Sequence, residues 1–380
     1  MRNKFLVGIC RCPSYEPDLV KEAISVAMER SGGGPFLLGD ILLKVNLLSP
    51  AEPEKAVTTH PEVITALLDW IYEREPEVGV SISDSPGYLF SGQWPLFVEK
   101  CRLAPLLGKY PCKVAPLNEE GYVEIENSGA VELGKIRIPS KVRKSGTVFN
   151  VAKCKTHVET EITGCLKNTF GYLDTPTRKL AHRSGSLEKL CHAILDAHIS
   201  RAPDWHLVDA VQGMEGAGPS HGTARHIGWI VASDNALAAD FVLASIMGYK
   251  DPLSIPLLAV AANRSMGPAG KGEIDLSGAA WEDLPAMGFT KAPSSLRRII
   301  PTPIRGLAHS MVRLKPSWSR DSCSFCGACS VVCPVKALKV AGGKIEIERR
   351  LCVHCLCCHE MCPTGAMAVK PNLLARLLLR

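Results

Sequence analysis

The chain has 380 residues, 46% of them hydrophobic and 22% charged, with 16 cysteines and a formal net charge of +6. That length and apolar content can bury a large core. No apolar stretch approaches the length of a bilayer, which excludes a spanning helix, and no recognition motif accompanies the charge, which argues against nucleic acid.

At the start of the chain, Phe5-Leu-Val-Gly-Ile9 is too short an apolar run for a signal peptide. Downstream, short runs rich in Val, Ile and Leu read as strands at Phe5 to Cys10, Ile41 to Val45, Val78 to Ser83, Thr147 to Ala152, His206 to Ala210 and Ile227 to Ala232. Helical patterns fall at Asp18 to Arg30, Pro61 to Arg74, Leu187 to Ile199 and Asn235 to Met247; the second opens on Thr59-His60-Pro61, where proline fits the first turn. Near-continuous apolar strands alternating with helices predict an α/β body built on a mainly parallel sheet, with its sites beyond the carboxyl ends of the strands.

Four polar motifs follow those strands: Lys44-Val45-Asn46 leading to Thr58-Thr59-His60-Pro61; Asp84-Ser85-Pro86-Gly87; Lys153-Cys154-Lys155-Thr156-His157 continuing through Thr163-Gly164-Cys165-Leu166-Lys167-Asn168; and Asp209 through Gly213, Met214, Glu215, Gly216, Gly218 and Pro219 to Gly222. In this order they resemble the family catalogued as domain of unknown function 362, members of which are fused to ferredoxin-type domains. The likeness spans most of residues 1–265 and implies the fold without an assured reaction. Cys154 and Cys165 depart from the pattern; they read as buried thiols, with a third metal site as the alternative.

Lys44, Lys153, Lys155 and Lys167 all come from strand ends, and ammonium groups gathered in one crevice need an anion or carboxylates to neutralise them. An anionic ligand is the simplest expectation, with Lys44, Asn46, Lys153, Asn168, Gly216 and Gly218 binding it and His157, Lys155 and Lys167 acting on it. The glycine loop is either an oxyanion cradle or a tight turn, and Asn46 and Asn168 either orient the ligand or cap loop backbone. His157 and His60 are both candidates for proton transfer, His157 the stronger because it shares its segment with three lysines. His182, His221 and His226 lack the spacing of a metal set. Asp84, Asp209 and Glu215 either balance the lysines or position a cation.

No acidic residue lies between Asp283 and Asp321, while Lys291, Arg297, Arg298, Arg305, Arg313, Lys315 and Arg320 accumulate among four prolines. This basic segment, 291–318, reads as a linker containing a short amphipathic helix through Ile304, Leu307, Met311 and Val312, which docks the C-terminal unit or meets a membrane surface or acidic partner. The body is then 1–290, the C-terminal unit 319–371 and a tail 372–380.

Within that unit one cysteine signature is written twice. Cys323, Cys326, Cys329 and Cys333 precede Pro334; Cys352, Cys355, Cys358 and Cys362 precede Pro363, each 29 residues after its counterpart. This is the ligand run of a two-cluster bacterial-type ferredoxin, in which the fourth cysteine crosses to the other cluster. It predicts two [4Fe-4S] clusters, one on Cys323, Cys326, Cys329 and Cys362 and one on Cys352, Cys355, Cys358 and Cys333, in a small α+β ferredoxin-type domain. Structural zinc is the alternative. Cys357 is surplus to the pattern. So many thiols with an oxygen-sensitive metal signature point to a reducing cytoplasm. The sequence therefore reads as an iron-sulfur oxidoreductase relaying single electrons from a redox partner protein or soluble donor to an anionic small molecule; the alternative is a non-catalytic electron-transfer or adaptor subunit.

Overall fold

A computed structural model of the chain describes residues 4–90, 92–285, 288–294 and 314–371. The expected linker helix and the tail lie outside the described residues. The body is an α/β layer structure on a sheet ordered β11-β1-β10-β9-β7-β2-β3-β4, with β8 added to β7. These are β1 Phe5–Arg11, β2 Ile41–Lys44, β3 Val80–Ser83, β4 Cys112–Val114, β7 Thr147–His157, β8 Glu161–Thr163, β9 Trp205–Glu215, β10 Thr223–Ser233 and β11 Ile274–Ser277; β5 Tyr122–Glu126 and β6 Lys135–Pro139 form a separate antiparallel pair. The neighbours β2, β3, β4, β7 and β9 run parallel, as do β1 and β11, and β10 is antiparallel to both β1 and β9. The sheet is mainly parallel, as the sequence pattern implies.

Burial on both faces explains the unbroken apolar runs. Ile41 and Leu43 face one core and Leu42 the other; Phe149 and Val151 alternate with Val148 and Ala152 in the same way. The first core is closed by the helices Pro17–Arg30 and Pro61–Tyr72 through Val20, Ile24, Ile64 and Leu67, and the second by Leu187–Ser200 and Ala236–Ile246 through Ile194 and Val242. Three of these helices open on a side-chain cap: His60 accepts from the Glu62 amide, Ser186 from that of Lys189 and Asn235 from that of Ala238. The polar run expected to follow β7 is instead its last third, buried throughout, and β9 likewise carries Asp209 to Glu215.

The C-terminal unit is small. β12 Leu314–Trp318, at the end of the basic segment, pairs antiparallel with β15 Met367–Pro371, and β13 Leu338–Ala341 with β14 Lys344–Ile347. The internal repeat is real in three dimensions: the short helix Ala328–Val332 and β13 correspond to the helix Cys357–Glu360 and β15. Its core includes Cys329, Cys358 and Cys362 beside Leu338, Ile345 and Met367. The unit sits on the carboxyl ends of the body's strands, where Leu314 and Leu356 pack on Val158, and His359 Nε2 lies 3.3 Å from the carbonyl of Ala217.

Candidate active site between the body and the cysteine unit

Where the two units meet they enclose a cavity of about 90 Å³. A water needs roughly 10–15 Å³ measured this way, so the space suits about six waters or one small molecule. From the body it is lined by Asn46, Asp84, Lys155, His157, Lys167, Asn168, Arg178 and His182, and from the cysteine unit by Cys357, Glu360 and Met361. Five of the expected site residues, Asn46, Lys155, His157, Lys167 and Asn168, therefore meet in one place.

The other lysines are neutralised nearby. Lys44 Nζ lies 2.7 Å from Asp84 Oδ1 and donates to the Val45 carbonyl at 2.8 Å, immediately behind the cavity wall. Burial still pushes its pKa down, against the pull of Asp84. Lys153 points elsewhere: it pairs with Asp209 at 2.7 Å and donates to the Tyr15 hydroxyl at 2.8 Å, with both charged side chains wholly buried. Asp209 also accepts from the His60 amide at 3.0 Å, and the His60 ring stacks on Tyr15, so His60 is a capping and packing residue outside the cavity. Burial pushes the His60 imidazole down to about 4.

Lys155 is different in kind. Its ammonium is buried and donates to Asn46 Oδ1 at 2.8 Å and the Val57 carbonyl at 2.7 Å, two neutral acceptors. Burial pushes it down to about 7, opposed by the more distant carboxylates of Glu360 and Asp84. Asn46 is held in turn through Asn168 Oδ1 at 2.9 Å, and Asn168 donates to Asn150 Oδ1 at 2.8 Å, which fixes both amides from behind. His157 accepts at Nδ1 from the Glu159 and Thr160 amides at 3.1 and 3.3 Å, leaving its proton on Nε2. That atom makes no hydrogen bond among the described residues and lies 3.7 Å from Glu360 Oε2. Burial and then Lys167 hold the ring well below its usual pKa, so His157 is neutral. His182 is opposed by burial, yet Glu159, 3.3 Å from its Nδ1, holds its pKa above the usual value. Lys167 sits over the Phe170 ring, 5.0 Å from its centroid.

The glycine loop does not reach the cavity, though Pro219 does. Gly216 spends its amide on the Thr290 carbonyl at 2.8 Å, and Gly218 donates to Thr156 Oγ1 at 3.2 Å. A Cβ on Gly218 would stand 2.2 Å from the Thr156 carbonyl oxygen. Close backbone packing therefore requires that glycine. Cys154 and Cys165 are buried thiols of the core; burial pushes Cys154 up to about 12.

The repeated cysteines line two further cavities. Cys323, Cys326, Cys329 and Cys362 surround one, with Phe325 and Ile345; Cys333, Cys352, Cys355 and Cys358 surround the other, with Val335 and Leu338. The Phe325 amide donates to Cys323 Sγ at 3.4 Å and the Ala337 amide to Cys333 Sγ at 3.2 Å, as expected around thiolates that carry charge. Four thiols about each space, in an apolar shell with backbone donors, fit an iron-sulfur cube. Cys357 belongs to the walls of both the second cysteine cavity and the 90 Å³ cavity.

Residues 41–245 match the family described as domain of unknown function (DUF362), which is more than half of the chain. The chain belongs to that family. Residues 316–339 match the 4Fe-4S binding domain, which makes the C-terminal unit a ferredoxin-type iron-sulfur module. A thylakoid-associated protein of Synechocystis sp. is 28% identical over 269 residues, 69% of this chain and 80% of that protein. Among solved structures, the lactate racemase apoprotein of Thermoanaerobacterium thermosaccharolyticum is similar at 14% identity and a TM-score of 0.36, over 62% of this chain and 55% of that one. A Thermotoga maritima protein is similar at 12% identity and a TM-score of 0.33, over 53% and 51%. The chain spans about half the length of these solved structures. Among the described residues no helix is long and apolar enough to cross a membrane.

The cysteine unit's share of the cavity escapes a reading of strand-end motifs, yet the repeat itself marks it. Position for position, Ala328, Ser330, Val331 and Val332 of the first copy become Cys357, His359, Glu360 and Met361 in the second. Val331 is exposed, whereas its counterpart Glu360 faces the body. Polar residues break the internal symmetry where this family member turns a cysteine-bearing helix toward its cavity. Arg178 lies outside every motif and could be placed only by the fold.

Proposed function

We propose that the chain is an iron-sulfur oxidoreductase acting on a small anionic organic molecule held in the cavity between its two units. Two [4Fe-4S] clusters, one on Cys323, Cys326, Cys329 and Cys362 and one on Cys333, Cys352, Cys355 and Cys358, would supply single electrons when bound, fed by a redox partner protein or soluble donor. The observation that carries this reading is the shared wall: Cys357 touches both the cavity and the second cysteine set, and Glu360 and Met361 line the cavity from between the ligands Cys358 and Cys362.

The body's side chains divide the remaining work. Lys167 and Arg178 bring positive charge to the cavity wall, where an acidic group of the ligand meets it. Neutral His157 presents Nε2–H to an oxygen of the ligand and polarises it. Lys155, poised near neutrality, gives or takes the proton that accompanies reduction. Asn46 and Asn168 fix the direction of the Lys155 amine. A cavity lined by so many polar and ionisable side chains favours a catalytic role over an adaptor subunit, which needs no such cavity. Because the cluster sites require reduced thiols, the reading also places the protein in a reducing compartment such as the cytoplasm.

The test is an anaerobic assay of purified protein with a low-potential donor and a panel of small carboxylic acids. Reduction of one of them, abolished by Cys329→Ser and Cys358→Ser, is the expected result. Turnover unchanged by those substitutions would sink the proposal.

A further inference from the structure

Beyond Arg178 lies a second and larger cavity, of about 200 Å³. Its walls include Phe90, Trp94 and Tyr122, from three separate segments, together with Pro86 and Pro116. Each of the three aromatic residues is half-buried and lines this space. The rings are held from behind: Trp94 donates its indole N–H to the Val114 carbonyl at 3.2 Å and stacks on Phe97, with centroids 5.7 Å apart, and Phe90 meets Phe97 edge-on at 6.0 Å. The acidic side chain in the lining, Glu119, is paired with Lys113 at the exposed rim. Ser85 and Arg178 belong to the walls of both cavities, and Arg178 is braced by the carbonyls of Ser85 and Pro86 at 3.4 and 3.2 Å. An apolar cavity of about 150 Å³ is enough to take up benzene, and this partly open space, which Ser85, Asn118, Thr175 and Arg178 also line, has the volume for a single ring.

We infer that the two cavities are subsites for one ligand class, an aromatic carboxylic acid, whose ring lies among Phe90, Trp94 and Tyr122 and whose carboxylate reaches Arg178 and the lysine cavity beyond it. The inference rests on the anionic-substrate reading above and adds the part of the molecule that the 90 Å³ cavity has no room for. Aromatic walls favour a ring over an aliphatic group of equal bulk through edge and face contacts. The junction arginine supplies the planar fork that a carboxylate accepts. Ser85 and Arg178, shared by both walls, thus stand between the ring and the acid group.

Isothermal titration of the full-length, anaerobically prepared iron-sulfur protein with acetate, benzoate and cyclohexanecarboxylate tests this without any assay of activity. Benzoate should bind at least about tenfold more tightly than acetate, the gain expected from burying one ring. Cyclohexanecarboxylate should fall a few-fold short of benzoate. Trp94→Ala and Tyr122→Ala, each checked for retained iron-sulfur absorbance, should cut the advantage of benzoate to less than about twofold, and Arg178→Met should weaken all three acids. Benzoate binding no tighter than acetate, or an advantage untouched by both aromatic substitutions, overturns the ring subsite. Equal binding of cyclohexanecarboxylate overturns the aromatic assignment. Failure of acetate itself to bind strikes instead at the anion cavity on which the inference stands.

Discussion

The body and the cysteine unit solve the same problem, holding charge and thiols away from water, by opposite means. The body buries three lysines and matches two of them with carboxylates of its own, Lys44 with Asp84 and Lys153 with Asp209, between two large apolar cores. The cysteine unit has one small core, and thiols make up much of it. A module of that size rarely folds on apolar burial alone and depends on its metal. The expectation is a preformed site on the body and, lent to it by the cysteine unit, a face that depends on bound iron-sulfur.

Removing iron tests that contrast with the largest effect. After chelation under oxidising conditions, or in a Cys329→Ser, Cys358→Ser double variant, amides of β13 and β14 should lose hydrogen-exchange protection by about a hundredfold or more, with β7 and β9 unchanged. Equal loss in both units would mean that the body, too, is built around the clusters. Next in size is Lys153→Met, which leaves Asp209 buried without its cation. Breaking a buried pair by removing one partner costs about 3–5 kcal/mol, read as a lower urea midpoint of the body. Adding Asp209→Leu should restore part of it.

Gly218→Ala follows, at about 1–3 kcal/mol, because the added methyl on the turn after β9 meets the backbone carbonyl of Thr156 in buried β7, which cannot yield. A neutral result would reopen the cradle reading of the loop. Lys155→Met differs in being pH-dependent. The folded pKa of Lys155, about 7, is depressed below the 10.5 of a free lysine, so its stabilising share is present above pH 10.5 and lost as pH falls toward 7. The variant lacks this loss. Its stability advantage over the parent should be widest below pH 7 and shrink by about 1.4 kcal/mol per pH unit on going up toward 10.5. A gap independent of pH would show that Lys155 is not buried with a depressed pKa.

How much of this could be read from residues depends on which period carries the signal. Val-, Ile- and Leu-rich runs placed the strands β1, β2, β3, β7, β9 and β10 and the long helices within a few residues, because burial on both faces leaves them apolar. The last third of β7 looked like a loop because it is polar, although Lys153, Lys155 and His157 alternate with Cys154 and Thr156 at the period of a strand. β5 and β6 were missed because their outer faces carry Glu124, Glu126, Lys135 and Arg137. Five site residues share one cavity because parallel strands end together, which sequence motifs at strand ends do reveal. That Lys44 and Lys153 would be neutralised by Asp84 and Asp209 was an open alternative, since it depends on partners about 40 and 56 positions away.

The smallest expected effect probes the seam between the two units. A methyl on Gly87 would come within 2.3 Å of Met361 Cε and 3.3 Å of the Leu48 carbonyl oxygen. Unlike the Thr156 backbone beside Gly218, the obstacle here is the free end of an unbranched thioether with several rotamers. Met361 can swing aside, so Gly87→Ala should change the stability of the body by less than about 1 kcal/mol. The cavity is where the change should register, because Met361 and Gly87 both line it. Affinity for a small acid should shift several-fold with little movement of the urea midpoint. A loss of stability as large as that of Gly218→Ala would show that the cysteine unit is packed against the body as rigidly as the body's own strands are against each other, and the contrast between a preformed half and a metal-dependent half of the site would fail at the seam.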